Sequence, residues 1–234
     1  NPEFWSGQAP VLFPIVGCLR NGTATIGDNK TCSFGRHGLA RRLEFDLVSS
    51  SDTSITYSLK ANDKTKEQYP YDFELQMTYE LTEHGVKVSH TVINHDSVVM
   101  PYCVGGHPAF NCPVFENESF EDYIVEFEQP ENAACAQLTE DGLINNADRV
   151  SVLENEAVIP VRHSLFYKDA LVFDALKSRK VALKHKKTGH GILVSFPDFD
   201  YLGVWSSAND GPFVALEPWS GTSTCSDEDD VFEH

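Results

Sequence analysis

The 234-residue chain is short of positive charge: 18 Lys and Arg stand against 35 Asp and Glu, a formal net charge of −17. So acidic a surface repels phosphate backbones and anionic lipid, which argues against nucleic-acid and membrane-surface binding but does not penalise a neutral ligand. Long apolar runs are missing as well, so no segment is expected to span a bilayer. Cys18, Cys32, Cys103, Cys112, Cys135 and Cys225 form no C-x-x-C pair. Their scatter suits neither a zinc module nor a compact disulfide scaffold, and half-buried free thiols in a cytoplasmic protein are expected. A basic-then-apolar leader is absent from the start, which points to the same compartment. Helical periodicity, internal repeats and Pro/Ser-rich linkers are also lacking, which predicts one domain over residues 1–234. The acidic end, 226–234, reads as a solvated terminus.

What the chain does have is strand patterning. Residues 54–59 and 73–81 alternate apolar with polar, and 86–92 follows after a turn at Glu83-His84-Gly85. That pairing predicts a β-hairpin with one face in a core. Further strands are predicted at 123–127, 170–173, 180–185, 191–196, 202–206 and 213–216. Turn clusters at Asn21-Gly22, Asp141-Gly142, Thr188-Gly189 and Asn209-Asp210-Gly211 separate the strands. The best helix candidate, 163–167, is a single turn. Residues 129–160 are the least regular stretch and read as an excursion or loop. Many strands with Gly, Asn and Asp turns predict an all-β fold, a large antiparallel sandwich or barrel.

Three segments crowd small and aromatic residues around ionisable ones. In Arg36-His37-Gly38-Leu39-Ala40-Arg41-Arg42 a histidine beside glycine precedes two arginines, which makes either a ligand-facing loop or an exposed basic turn. In Gly105-Gly106-His107-Pro108-Ala109-Phe110 the paired glycines admit close backbone approach, and Pro108 fixes the chain after the histidine. An imidazole so held suits proton transfer near neutral pH, though a structural turn would use the same residues. In Phe213-Val214-Ala215-Leu216-Glu217-Pro218-Trp219 an apolar strand ends in a carboxylate beside an aromatic ring. That arrangement raises a carboxyl pKa and seats a sugar face; a strand-end glutamate paired with a cation is the alternative. Asp169, heading Ala170-Leu171-Val172-Phe173, repeats the design, or else caps a turn. Trp205, Trp219 and Phe110 are candidates for stacking on a sugar, or for core packing. No nucleophile, metal site or redox centre stands out.

In this order, these segments resemble the aldose 1-epimerase (galactose mutarotase) family, in its bacterial LacX-like branch. Asn1-Pro2-Glu3-Phe4-Trp5-Ser6-Gly7, Ala9-Pro10-Val11-Leu12-Phe13-Pro14-Ile15-Val16-Gly17 and Tyr201-Leu202-Gly203-Val204-Trp205-Ser206 extend the likeness over nearly the whole chain. The resemblance implies a galactose mutarotase-like β-supersandwich, here trimmed at both ends, and a cofactor-free isomerase of carbohydrate metabolism, monomeric or homodimeric, that takes a sugar in an open cleft. By position, His107 resembles the family's general acid and Glu217 its general base. His37 is similar to a second histidine near the ring oxygen, Asp169 to a carboxylate that grips hydroxyls, and Arg41 to the arginine of a His-Gly-Phe-Ala-Arg motif in which Leu39 replaces Phe. Cys18 stands where LacX-like sequences generally carry arginine, with Arg20 two residues on. Two rival functions remain at this level. One is a hexose-6-phosphate mutarotase clamping phosphate with Arg36, Arg41 and Arg42; the other is a non-catalytic carbohydrate-binding protein.

Overall fold

The structure, a computed structural model, describes residues 1–234. It is an all-β sandwich whose sheets are antiparallel throughout. The hairpin sheet runs Asp46–Ser50, Ser54–Lys60, Phe73–Thr82 and Gly85–Asn94, with the two-residue turn Glu83-His84 closing the predicted hairpin. A second four-stranded sheet orders Ile144–Pro160, Tyr123–Leu138, Lys180–His185 and Gly191–Ser195. Burial alternates strictly along one inner strand: in Lys180–His185 the residues Val181, Leu183 and His185 are buried while their neighbours are not.

A six-stranded sheet has Phe213–Trp219 in its middle. Tyr201–Trp205 flanks that strand on one side, and the short strands Gly105–Gly106 and Ala109–Asn111 flank it on the other. Because successive side chains point to opposite faces, Val214 and Leu216 join Val125, Phe173, Val181, Leu202 and Val204 in a 19-residue core against the second sheet. Phe213, Ala215, Glu217 and Trp219 take the other face. A 16-residue core built on Phe13, Tyr69, Phe73 and Leu75 joins the N-terminal third to the hairpin sheet.

Three expectations need correction. Residues 129–160 are not a loop but most of two long paired strands, Tyr123–Leu138 and Ile144–Pro160. Register shifts between Glu126 and Glu131, at Ala133/Ala134 and at Ala136/Gln137 break the period of two, which hid the ladder. The acidic end is not simply solvated: Phe232 N–H donates to the Thr25 carbonyl at 2.9 Å, and Arg20 pairs with Asp230 at 2.9 Å. The strand at 213 does not stop before Glu217 but continues through Pro218 to Trp219. The candidate helix at 163–167 is a 3-10 turn, His163–Leu165. The one α-helix, Asp63–Lys66, is a single turn that Asn62 caps by accepting from the Lys64 and Thr65 N–H groups. All six cysteines are free, and three of them, Cys32, Cys112 and Cys135, are buried. No helix is long and apolar enough to cross a membrane.

Candidate active site

Strand register brings His107 and Glu217 together. Gly105 pairs with Trp219 and Ala109 with Ala215, so the His107-Pro108 link between them falls opposite Glu217. On the strand's other side, Gly203 pairs with Glu217. A Cβ at Gly203 would lie 2.6 Å from the Trp219 ring, so glycine is what lets the indole lie flat over its neighbour. His107 Nε2 stands 3.1 Å from Glu217 Oε2. Their burial is deep, with 7% and 1% of their surfaces exposed. Yet His107 Nδ1 makes no hydrogen bond, and neither Glu217 Oε2 nor Trp219 Nε1 makes one of good geometry. Each unsatisfied buried polar atom costs about 1–3 kcal/mol, a cost that a ligand rich in hydroxyls is suited to relieve.

Burial sets the proton affinities. It raises the Glu217 carboxyl well above its ordinary range, and the nearby Asp169 adds to the rise. Burial likewise draws the His107 imidazole down to about 4, with the Arg41 charge working in the same direction. His37 is held down to about 3 by burial and by His107, Arg41 and Arg36. Its Nδ1 accepts the Gly17 N–H at 3.0 Å, so the neutral ring carries its proton on Nε2 and offers it as a donor. His37 and Asp169 both hold positive φ, at 67° and 82°. Strain of that kind costs about 1–3 kcal/mol and is often found at ligand sites.

These groups line a cleft of about 200 Å³, room for one small ligand. His107, Glu217, His37, Asp169, Arg41, Trp205 and Trp219 all face it. Phe110 does not. It pairs with Val214 on the core face of the ladder and packs against the 19-residue core. Trp5, for which no role was expected, and Arg36 also line the cleft. Arg36 Nη1 reaches Asp169 Oδ2 at 3.3 Å. Burial alone would lower the Arg36 pKa, but Cys18 and Asp169 outweigh it and raise the value. Arg20 instead turns to the tail, donating to the Ser226 carbonyl at 2.7 Å. An arginine therefore does reach the space beside Cys18, but it comes from position 36. Arg42 stays outside the cleft.

A larger hollow, about 910 Å³, lies beneath the 220–234 segment beside Tyr102, Tyr201 and the Arg149–Asp174 pair. It brings together no buried acid–base pair, so the smaller cleft is the stronger candidate despite its size. No group of three or more His, Cys, Asp or Glu side chains is placed to hold a metal ion.

Comparison with known proteins points the same way as the fold. A family model described as aldose 1-epimerase matches residues 2–229. The plasmid-encoded protein LacX of Lactococcus lactis subsp. lactis is 42% identical over 239 residues, spanning 100% of this chain and 80% of LacX. Among solved structures, a galactose mutarotase related enzyme from Lactobacillus acidophilus superposes with a TM-score of 0.92 at 33% identity, covering 100% of this chain and 78% of that one. A galactose mutarotase-like protein from Lactobacillus casei ATCC 334 gives 0.90 at 30% identity, covering 100% and 80%.

Proposed function

This chain belongs to the aldose 1-epimerase family, and from that premise we propose that it interconverts the α and β anomers of a free aldohexose. Glu217 is the general base and His107 the general acid. The observation that carries this reading is the 3.1 Å contact between His107 Nε2 and Glu217 Oε2 at the buried end of the cleft, where His107 Nδ1 has no partner.

Anomer exchange requires two proton transfers. The Glu217 carboxylate takes the C1 hydroxyl proton, the His107 imidazolium gives one to the ring oxygen, and the C1–O5 bond opens to the aldehyde. Rotation about C1–C2 turns the other carbonyl face, and the reverse transfers close the ring. Ring opening leaves a neutral carboxyl beside a neutral imidazole. That is the form burial favours, since charge is disfavoured where water is excluded. The same burial disfavours the carboxylate–imidazolium form from which opening starts, so the shared proton must first move from Glu217 to His107. Each transfer to or from the sugar contributes roughly 10²–10⁴-fold. His37 Nε2–H and the Asp169 carboxylate supply a donor and an acceptors' pair for sugar hydroxyls, and Trp205 and Trp219 supply apolar ring faces.

The acid–base pair works with one proton between its two members, so the rate is bell-shaped in pH. The acid limb falls as the pair gains its second proton, near the His107 value of about 4, because Glu217 then has no carboxylate to offer. The alkaline limb falls as the last proton leaves the pair, well above the ordinary carboxylate range because Glu217 is raised. Polarimetric mutarotation of wild type, Glu217→Gln and His107→Asn is the test. Wild type accelerates the approach to anomeric equilibrium and both variants fail to. Sugar binding without any acceleration by wild type would instead favour the non-catalytic reading. The Arg36–Asp169 pair neutralises one of the three arginines that a phosphate clamp would need, and Arg42 faces away. Free glucose is therefore expected to outrun glucose 6-phosphate.

A further inference from the structure

The indole of Trp5 covers one face of His107. The two rings stack with centroids 4.8 Å apart and planes 24° apart. Trp205 meets the same imidazole edge-on at 5.5 Å, His37 does so at 5.7 Å, and Glu217 closes on Nε2. Trp5 is in turn fixed from behind: it stacks on Phe213 at 5.7 Å and meets Trp205 edge-on at 5.5 Å. The chain leading to it is tied down as well. The Asn1 carbonyl accepts from the Phe4 and Trp5 N–H groups, and Asn209 Nδ2 donates to the Glu3 carbonyl at 2.9 Å. Gly7 leaves space for the ring, since a Cβ there would stand 2.4 Å from the indole.

We propose that Trp5 is a positioning residue for His107, a strap whose indole holds the imidazole plane toward Glu217 and keeps water from its face. The inference rests on reading His107 as the general acid. Trp5 lines the cleft, but its flat face is spent on the imidazole and on Phe213. The charged and titratable groups facing His107 are Glu217 at Nε2, His37 at its edge and the Arg41 guanidinium, with Asp169 farther off beside Glu217. None of them belongs to the strap, so removing the indole changes the imidazole's hydration and orientation while leaving those charges in place. Burial is the main influence holding the His107 value down. Admitting water therefore moves it up, toward the ordinary imidazole value.

Trp5→Ala, Trp5→Phe and His107→Asn test this by polarimetry across pH and by tryptophan emission. Trp5→Ala is expected to lower kcat roughly three- to tenfold, the scale of one aromatic pair, with KM within about twofold. Its acid limb moves upward in pH, and Trp5→Phe restores both kcat and the limb. Imidazolium quenches a stacked indole, so the wild-type emission loses intensity as His107 protonates. That pH-dependent loss shrinks in Trp5→Phe and in His107→Asn, a readout that does not depend on turnover. A Trp5→Ala variant with raised KM but unchanged kcat and pH profile would make Trp5 a sugar platform and overturn the proposal. Unchanged emission titration in Trp5→Phe would overturn it too. If His107→Asn keeps wild-type turnover, the general-acid reading itself fails; if that variant is inactive while Trp5→Ala matches wild type throughout, only the strap fails.

Discussion

The two ends of the cleft place the same kind of side chain in opposite surroundings. At one end Glu217 sits in mid-ladder among His107, Trp205 and Trp219, nearly sealed from water. At the other, Asp169 heads the strand Leu171–Phe173 with 32% of its side chain exposed and the Arg36 guanidinium 3.3 Å away. A carboxyl kept from water resists charge and holds its proton above the ordinary carboxylate range. One that faces water and a guanidinium is an anchor for hydroxyl groups instead. On the proposed reading, this difference in burial gives chemistry to the dry end and recognition to the wet end, since both residues are carboxylic acids.

The contrast breaks most visibly if the dry end is altered. Glu217→Gln and His107→Asn are each expected to lower kcat by roughly 10²–10⁴-fold. Because the two act as a unit, the double variant costs little more than either alone, which kcat by polarimetry will show. Asp169→Asn at the wet end removes a charged hydrogen-bond acceptor and frees Arg36. It is expected to raise KM by roughly tenfold with little change in kcat. Phe110→Ala sharpens the boundary of the site from the core side. It empties a position against the 19-residue core and costs about 1–3 kcal/mol of stability, visible as a lower Tm, while kcat per folded molecule holds. Arg42→Ala is the smallest change: KM for free glucose stays within about twofold, as expected for an exposed residue outside the cleft.

Much of the fold could be read in advance because its strands obey simple alternation. The stretches 54–60 and 73–82 carry that pattern cleanly in sequence. The long pair Tyr123–Leu138 and Ile144–Pro160 did not, since each bulge moves the buried face by one residue. Pro218 misled for a related reason. Proline reads as a strand end, yet the central strand carries it opposite Leu202 and keeps Glu217 inside the ladder. Within the cleft, His107 and Glu217 were visible from local composition, and their contact depended on a register that no local pattern encodes. Phe110 looked like a stacking ring beside the histidine, but it lies on the next short strand, paired with Val214 and packed against the core. Trp5 carried no local mark of function and reaches the cleft from the far N-terminal segment, whereas Arg36 was marked by the basic loop it heads and fills the space beside Cys18 from 18 residues downstream.

The central claim is that this acid–base pair acts on the anomeric centre of one bound sugar. A crystal structure of Glu217→Gln soaked with glucose tests it most directly. The account predicts the C1 hydroxyl at about 3 Å from the residue 217 side chain and the ring oxygen at a similar distance from His107 Nε2. A sugar seated in the larger hollow, or lying in the cleft with C1 turned away from both side chains, would contradict it.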